Sequence, residues 1–121
     1  MSMTITRTFQ FEAAHRLPHV PTEHKCARLH GHSFRVQITV AGTLDEKLGW
    51  LVDFADLARA WEPLHAALDH RYLNEVEGLD NPTSERLALW IHERFEVPGA
   101  KVESITVSET CTSSVTYRPR A

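Results

Sequence analysis

The stretch Cys26-Ala27-Arg28-Leu29-His30-Gly31-His32-Ser33-Phe34-Arg35-Val36-Gln37-Ile38-Thr39-Val40 joins a cluster of chemically active side chains to a strictly alternating run. From Ser33 onward, Phe34, Val36, Ile38 and Val40 face Ser33, Arg35, Gln37 and Thr39, the period of a strand with one buried and one wet face. Successive strand side chains point to opposite faces, so His30 and His32 share one face about 6.6 Å apart at the usual rise. Two imidazoles so placed can converge on one ion. Zinc is the first choice, because neutral imidazole nitrogens bind it tetrahedrally and nearby Cys, Asp and Glu chemistry suits it.

Working outward toward the N-terminus, Thr4 to Phe11 also alternates, and His15 follows where that strand would be ending. A second strand end is a plausible source for a third imidazole. Between the two strands, residues 15 to 29 carry Pro18, Pro21 and mixed charges, which suits a long loop, and a loop of that size in a small domain is often functional. His19, His24 and Cys26 lie in it.

Toward the C-terminus, Asp53 reads as the N-cap of a helix with Leu57, Trp61, Leu64 and Leu68 at helical spacing, while Pro63 argues for a kink or an early stop. Asn81-Pro82-Thr83-Ser84-Glu85 supplies capping residues and an N1 proline to a second helix that ends before Pro98-Gly99. Val102 to Glu109 and Ser114 to Arg118 alternate as strands again. The order ββααββ predicts an α+β fold, an antiparallel sheet with two helices on one face. Four strands leave two open edges, which other subunits could close, and the polar face of the second strand suits the lining of a barrel built from several copies.

The 121 residues, 42% of them hydrophobic, fit one domain with a real core spanning 1–121. A net charge of −3 shows no basic excess for a phosphate backbone, so nucleic acid is excluded as a partner. No apolar stretch approaches the roughly 20 residues of a membrane span and the N-terminus lacks a signal-peptide pattern, so a soluble cytoplasmic protein is expected. In that compartment Cys26 and Cys111 are expected as reduced thiols rather than as a disulfide.

Three further features break the pattern. Glu109 continues the face of Ile105 and Val107, where a carboxylate needs a partner. It could anchor a ligand with two parallel N–H donors, or it could leave the sheet or pair with an Arg. In Asp69-His70 the acid could hold the imidazole in one tautomer and raise its basicity, although adjacent residues face each other only through an irregular turn. Cys26 could be a fourth metal ligand, a nucleophile, a base, or simply a small apolar residue in a loop. Trp61 and Trp90 fall on apolar helical stripes and are expected in the core, and His65 and His92 on helix surfaces or core margins.

Taken in order, Phe11-Glu12-Ala13-Ala14-His15-Arg16-Leu17, Cys26 with His30-Gly31-His32, Leu68-Asp69-His70, Asn81-Pro82-Thr83-Ser84-Glu85 and Ser108-Glu109-Thr110 resemble the 6-pyruvoyl-tetrahydropterin synthase family. The C-x-x-x-H-G-H spacing looks like its queuosine-pathway branch, which makes 6-carboxy-tetrahydropterin. The resemblance implies a T-fold whose subunits form trimeric barrels stacked as a homohexamer. It implies one zinc ion per subunit on His15, His30 and His32, acid/base roles for Cys26, Asp69 and His70, and a pterin held by Glu109 with help from Thr83 and Ser84. The implied substrate is 7,8-dihydroneopterin triphosphate. Two alternatives remain: the pyruvoyl-forming reaction of the same family, and a non-enzymatic module whose zinc is closed off by Cys26.

Overall fold

The computed structural model describes residues 2–109 and 112–120. Two long strands dominate it: β1 (Ser2–His15) and β2 (His30–Thr43) pair antiparallel along their whole length, from Ser2↔Thr43 to His15↔His30. Both run further than the alternation predicts, because Ala13 and Gly31 keep the pleat going where the apolar pattern has faded. The first helix, α1 (Phe54–Leu68), is capped by the Asp53 carboxylate, which accepts from the Ala55 N–H at 3.0 Å. It passes through Pro63 without stopping. Pro63 and Arg59, whose carbonyl the ring deprives of its donor, are both exposed, so water can take that carbonyl.

After α1 comes β3 (Arg71–Tyr72), two residues running parallel to β1 through Ala13↔Arg71 and Ala14↔Tyr72. The sheet is therefore mixed and five-stranded, in the order β3-β1-β2-β4-β5, rather than four-stranded and wholly antiparallel. A two-residue strand has no periodicity to betray it. The second helix, α2 (Ser84–Arg94), is capped by Thr83, whose hydroxyl accepts from the Arg86 N–H at 3.1 Å, so Pro82 precedes the cap instead of occupying N1. Strands β4 (Lys101–Ser108) and β5 (Ser114–Tyr117) complete the sheet by antiparallel pairing, with an irregularity in the β2–β4 register at Thr39/Val40.

One face of the sheet packs on the helices. Phe11, Phe34, Ile38, Leu57, Leu87 and Ile105 are buried there, with Phe9 stacked on Trp61 and Phe11 on Phe34, ring centroids 4.9 Å apart in each pair. Trp90 is buried too, its Nε1–H donating to the Glu77 carbonyl at 2.9 Å. The other face is hydroxyl-rich: Thr6 and Thr39 meet at 2.6 Å, and Thr106 and Thr116 at 2.8 Å. No helix among the described residues is long and apolar enough to cross a membrane. Cys26 is a free thiol, and Cys111 lies outside the described residues.

Candidate metal centre and active site

The parity that buries Phe11 and Ala13 also turns His15 toward the helices, and the parity of Phe34 does the same for His32 and His30. Because His15 pairs with His30 and Ala13 with His32, the three imidazoles occupy the end of the core stripe, just beyond Phe11 and Phe34. Ring centroids are 4.6 Å (His15–His30), 5.2 Å (His15–His32) and 4.8 Å (His30–His32) apart. One ligand atom from each lies within 4.8 Å of the others. His15 is only 1% exposed.

Hydrogen bonds outside the cluster orient its rings. His15 Nδ1 lies 2.8 Å from the Pro82 carbonyl and His30 Nδ1 lies 2.7 Å from the Arg28 carbonyl, so both Nδ1 atoms act as donors and Nε2 keeps its lone pair. The Nε2 atoms of His15 and His32 are buried without a hydrogen-bond partner. Orphaned buried nitrogens are costly in a folded protein unless something binds them, and two in one cluster fit a metal ion. Among the described residues the cluster is the three imidazoles and does not include the Cys26 sulfur.

Burial holds the His15 and His32 pKa values below the usual imidazole value, with the Glu109 carboxylate opposing the shift at both. The unfolded chain then binds more protons than the folded one below about pH 6.5, and stability rises with pH wherever that is so. The metal-free protein should melt at progressively lower temperature as pH falls below about 6.5, with no contribution from these two groups at higher pH. Melting curves in chelator from pH 8 to 5 check this, and a His32→Gln variant with an equally steep profile would contradict it.

Glu109 stands one residue past the end of β4. Its partner is not an arginine. Oε1 accepts from the Ser84 hydroxyl at 2.7 Å, and Oε2 lies 3.5 Å from His32 Nε2. Pro82 and Ser84, on either side of the α2 cap, thus hold a ring of the imidazole cluster and the neighbouring carboxylate respectively. Ser84 was expected near a ligand, and its hydroxyl is engaged through Glu109; Thr83 spends its oxygen on the helix cap.

Asp69 and His70 do form a dyad, by the irregular turn the pairing required: His70 has φ +57°, and its Nδ1–H donates to Asp69 Oδ2 at 2.8 Å. Asp69 Oδ1 accepts the Glu12 N–H at 2.9 Å, and this bond, followed by the one to His70, pulls the Asp69 pKa below the usual carboxylate value. His65 Nε2 approaches the same carboxylate at 3.8 Å, and His92 packs against Tyr117. The His70 side chain is 78% exposed and borders an open cleft of about 540 Å³ with Glu12, His32, Ser33, Arg71 and Tyr72. By strand parity Glu12 and Ser33 project from the face opposite the three imidazoles, joined there by a 2.6 Å hydrogen bond. Sequence reading passed over Glu12 and Ser33, which carry no spacing signal.

Cys26 sits in a 3-10 turn (Lys25–Ala27), half-buried. Its carbonyl accepts the Leu17 N–H at 2.8 Å, which ties it to the chain two residues beyond His15. The three imidazoles and the Glu109 carboxylate beside His32 form one cluster, while the Asp69–His70 pair and the loop that carries Cys26 are held by their own hydrogen bonds.

Residues 4–120 match the family model described as 6-pyruvoyl tetrahydropterin synthase. The chain is 47% identical over 121 residues to a 6-carboxy-5,6,7,8-tetrahydropterin synthase of Synechocystis sp., covering 93% of this chain and 91% of that protein. It is 38% identical over 101 residues to a dihydroneopterin monophosphate aldolase of Pyrococcus furiosus, with 82% of each chain covered. Its backbone superposes on the structure of Caenorhabditis elegans 6-pyruvoyl tetrahydropterin synthase with a TM-score of 0.88 at 27% identity, over 99% of this chain and 97% of that one. A match over nearly the full length, in sequence and in fold, places the chain in the 6-pyruvoyl tetrahydropterin synthase family.

Proposed function

We propose that this protein is a 6-carboxy-tetrahydropterin synthase, a carbon–carbon lyase that uses water to convert 7,8-dihydroneopterin triphosphate to 6-carboxy-5,6,7,8-tetrahydropterin, acetaldehyde and triphosphate. The observation that carries the reading is the pair of orphaned Nε2 atoms on His15 and His32, beside a carboxylate held by Ser84. The 47% identity to a protein of that name supports it. On this reading residues 1–121 form one T-fold domain acting as a homohexamer in the cytoplasm, and the product enters queuosine (7-deazaguanine) biosynthesis.

His15, His30 and His32 would hold one zinc ion. When bound it supplies Lewis acidity that makes the substrate's side-chain hydroxyls easier to deprotonate. Glu109 accepts two N–H donors from the 2-amino and N3 edge of the pterin and so fixes the side chain toward the imidazoles. Cys26, as thiolate, removes a carbon-bound proton. His70, kept in one tautomer by Asp69, returns protons during rearrangement and cleavage. Thr83 and Ser84 help seat the ring, Ser84 through its bond to Glu109. The open cleft that His70 borders is lined by His32 as well.

Incubation with dihydroneopterin triphosphate, with products identified by mass spectrometry, tests the reading directly. Release of acetaldehyde is expected; retention of all side-chain carbons would assign the pyruvoyl reaction instead. Glu109→Gln should weaken pterin binding by about 1.5–3 kcal/mol, the scale of a hydrogen bond to a charged group, with the fold unchanged. Unaltered affinity in calorimetry would remove Glu109 from the pocket.

A further inference from the structure

Asn74 stands where β3 has run out. The parallel ladder to β1 ends at Ala14↔Tyr72, and the chain then turns into the 3-10 segment Leu73–Glu75. The Asn74 side chain supplies the next rung. Its Oδ1 accepts the Arg16 N–H at 3.0 Å and its Nδ2 donates to the Arg16 carbonyl at 2.8 Å. A carboxamide carries the donor and acceptor of a peptide group, so it can satisfy both backbone groups of one residue as a strand would. Leu73, fully buried, holds the turn that presents it.

Arg16 is the first residue after His15 and the first of the loop that returns at His30. The next residue, Leu17, donates its N–H to the Cys26 carbonyl at 2.8 Å, and the Cys26 N–H donates to His24 Nδ1 at 3.0 Å. A continuous hydrogen-bonded path therefore leads from Asn74 through the backbone of Arg16 and Leu17 to Cys26. Without its first link, β1 would have no neighbour on that edge at Arg16, and the loop base would be free to move.

We infer that Asn74 is a positioning residue: it registers the loop of residues 16–29 on the sheet and so fixes the backbone that carries Cys26. The catalytic consequence rests on the reading in which Cys26 acts on substrate; the placement of the loop does not. Aspartate at this position keeps the acceptor for the Arg16 N–H but has no donor for the Arg16 carbonyl, so Asn74→Asp retains one bond of the two.

The test uses metal-loaded protein carrying Asn74→Ala or Asn74→Asp. Metal per chain, the rate of Cys26 alkylation by iodoacetamide read on the Cys26 peptide by mass spectrometry, and kcat and KM are measured separately. Asn74→Ala should keep its metal, change the Cys26 alkylation rate by about threefold or more, and lose about 10- to 100-fold in kcat with KM within about twofold, as displacement of a reacting group does. Asn74→Asp should fall between it and the parent. An alkylation rate within about twofold of the parent overturns the inference whatever happens to kcat, and so does an unchanged kcat in a protein whose Cys26→Ala variant is inactive. If Asn74→Ala does not fold, Asn74→Leu, which keeps the side-chain bulk but makes neither bond, is held to the same limits. Full turnover by Cys26→Ala would refute the catalytic role of the thiol alone, leaving the alkylation arm to decide the placement of the loop.

Discussion

His30→Ala should leave the protein folded, nearly free of zinc, and slower in turnover by about 10³ or more, since the Lewis-acid contribution of such an ion is worth several kcal/mol. His30 is the informative choice among the three rings. His15 is 1% exposed and packs edge-on against Phe34, so its removal opens a core cavity and confuses loss of metal with loss of fold. His30, half-buried at the first residue of β2, loses only its ring contacts with His15 and His32 when cut back to its Cβ, and opens no cavity in the apolar core. Its Nδ1 bond to the Arg28 carbonyl is also lost, a net cost of about 1 kcal/mol that should appear as a small fall in melting temperature. Elemental analysis of purified protein, with circular dichroism as a control, reads the outcome. Full metal occupancy with parental turnover would mean that the ion sits elsewhere.

Cys26→Ala makes the complementary case. The three-imidazole group does not include its sulfur, so zinc should stay near one per chain while turnover falls by about 10² or more, the scale of an acid/base residue. Little change in stability is expected, because Cys26 is only half-buried and its bonds to Leu17 and His24 are made by the backbone. Loss of metal on this substitution would instead make the thiol a ligand, and the site a closed structural one whose chelation unfolds the domain. His30→Ala and Cys26→Ala together separate metal binding from proton transfer, which no single substitution does.

The placement of the side chains around the three imidazoles explains why some groups are legible in the sequence and others not. His30-Gly31-His32 at the head of an alternating strand already puts two imidazoles on one face, since the pleat has a period of two. His15 needed only the additional fact that β1 pairs with β2, and the register His15↔His30 supplied it. Asp69–His70 needed a left-handed residue at position 70, which no local pattern in Leu68-Asp69-His70 announces. Glu109 falls on the correct face by parity, but its partners Ser84 and His32 come from α2 and β2 and are brought together only by folding.

Read alone, the chain determined its two long strands, both helices with the Asp53 cap, the core stripe and the candidate ligands, because each is set by a local period or a local capping bond. Tertiary structure decided the rest. The parallel strand β3, the passage of α1 through Pro63, the clamp of Asn74 on Arg16 and the burial of two imidazole nitrogens that make no hydrogen bond all depend on which distant segments meet. Sequence periodicity reports which face a side chain takes, whereas hydrogen-bond satisfaction and burial are properties of neighbours that are far away along the chain.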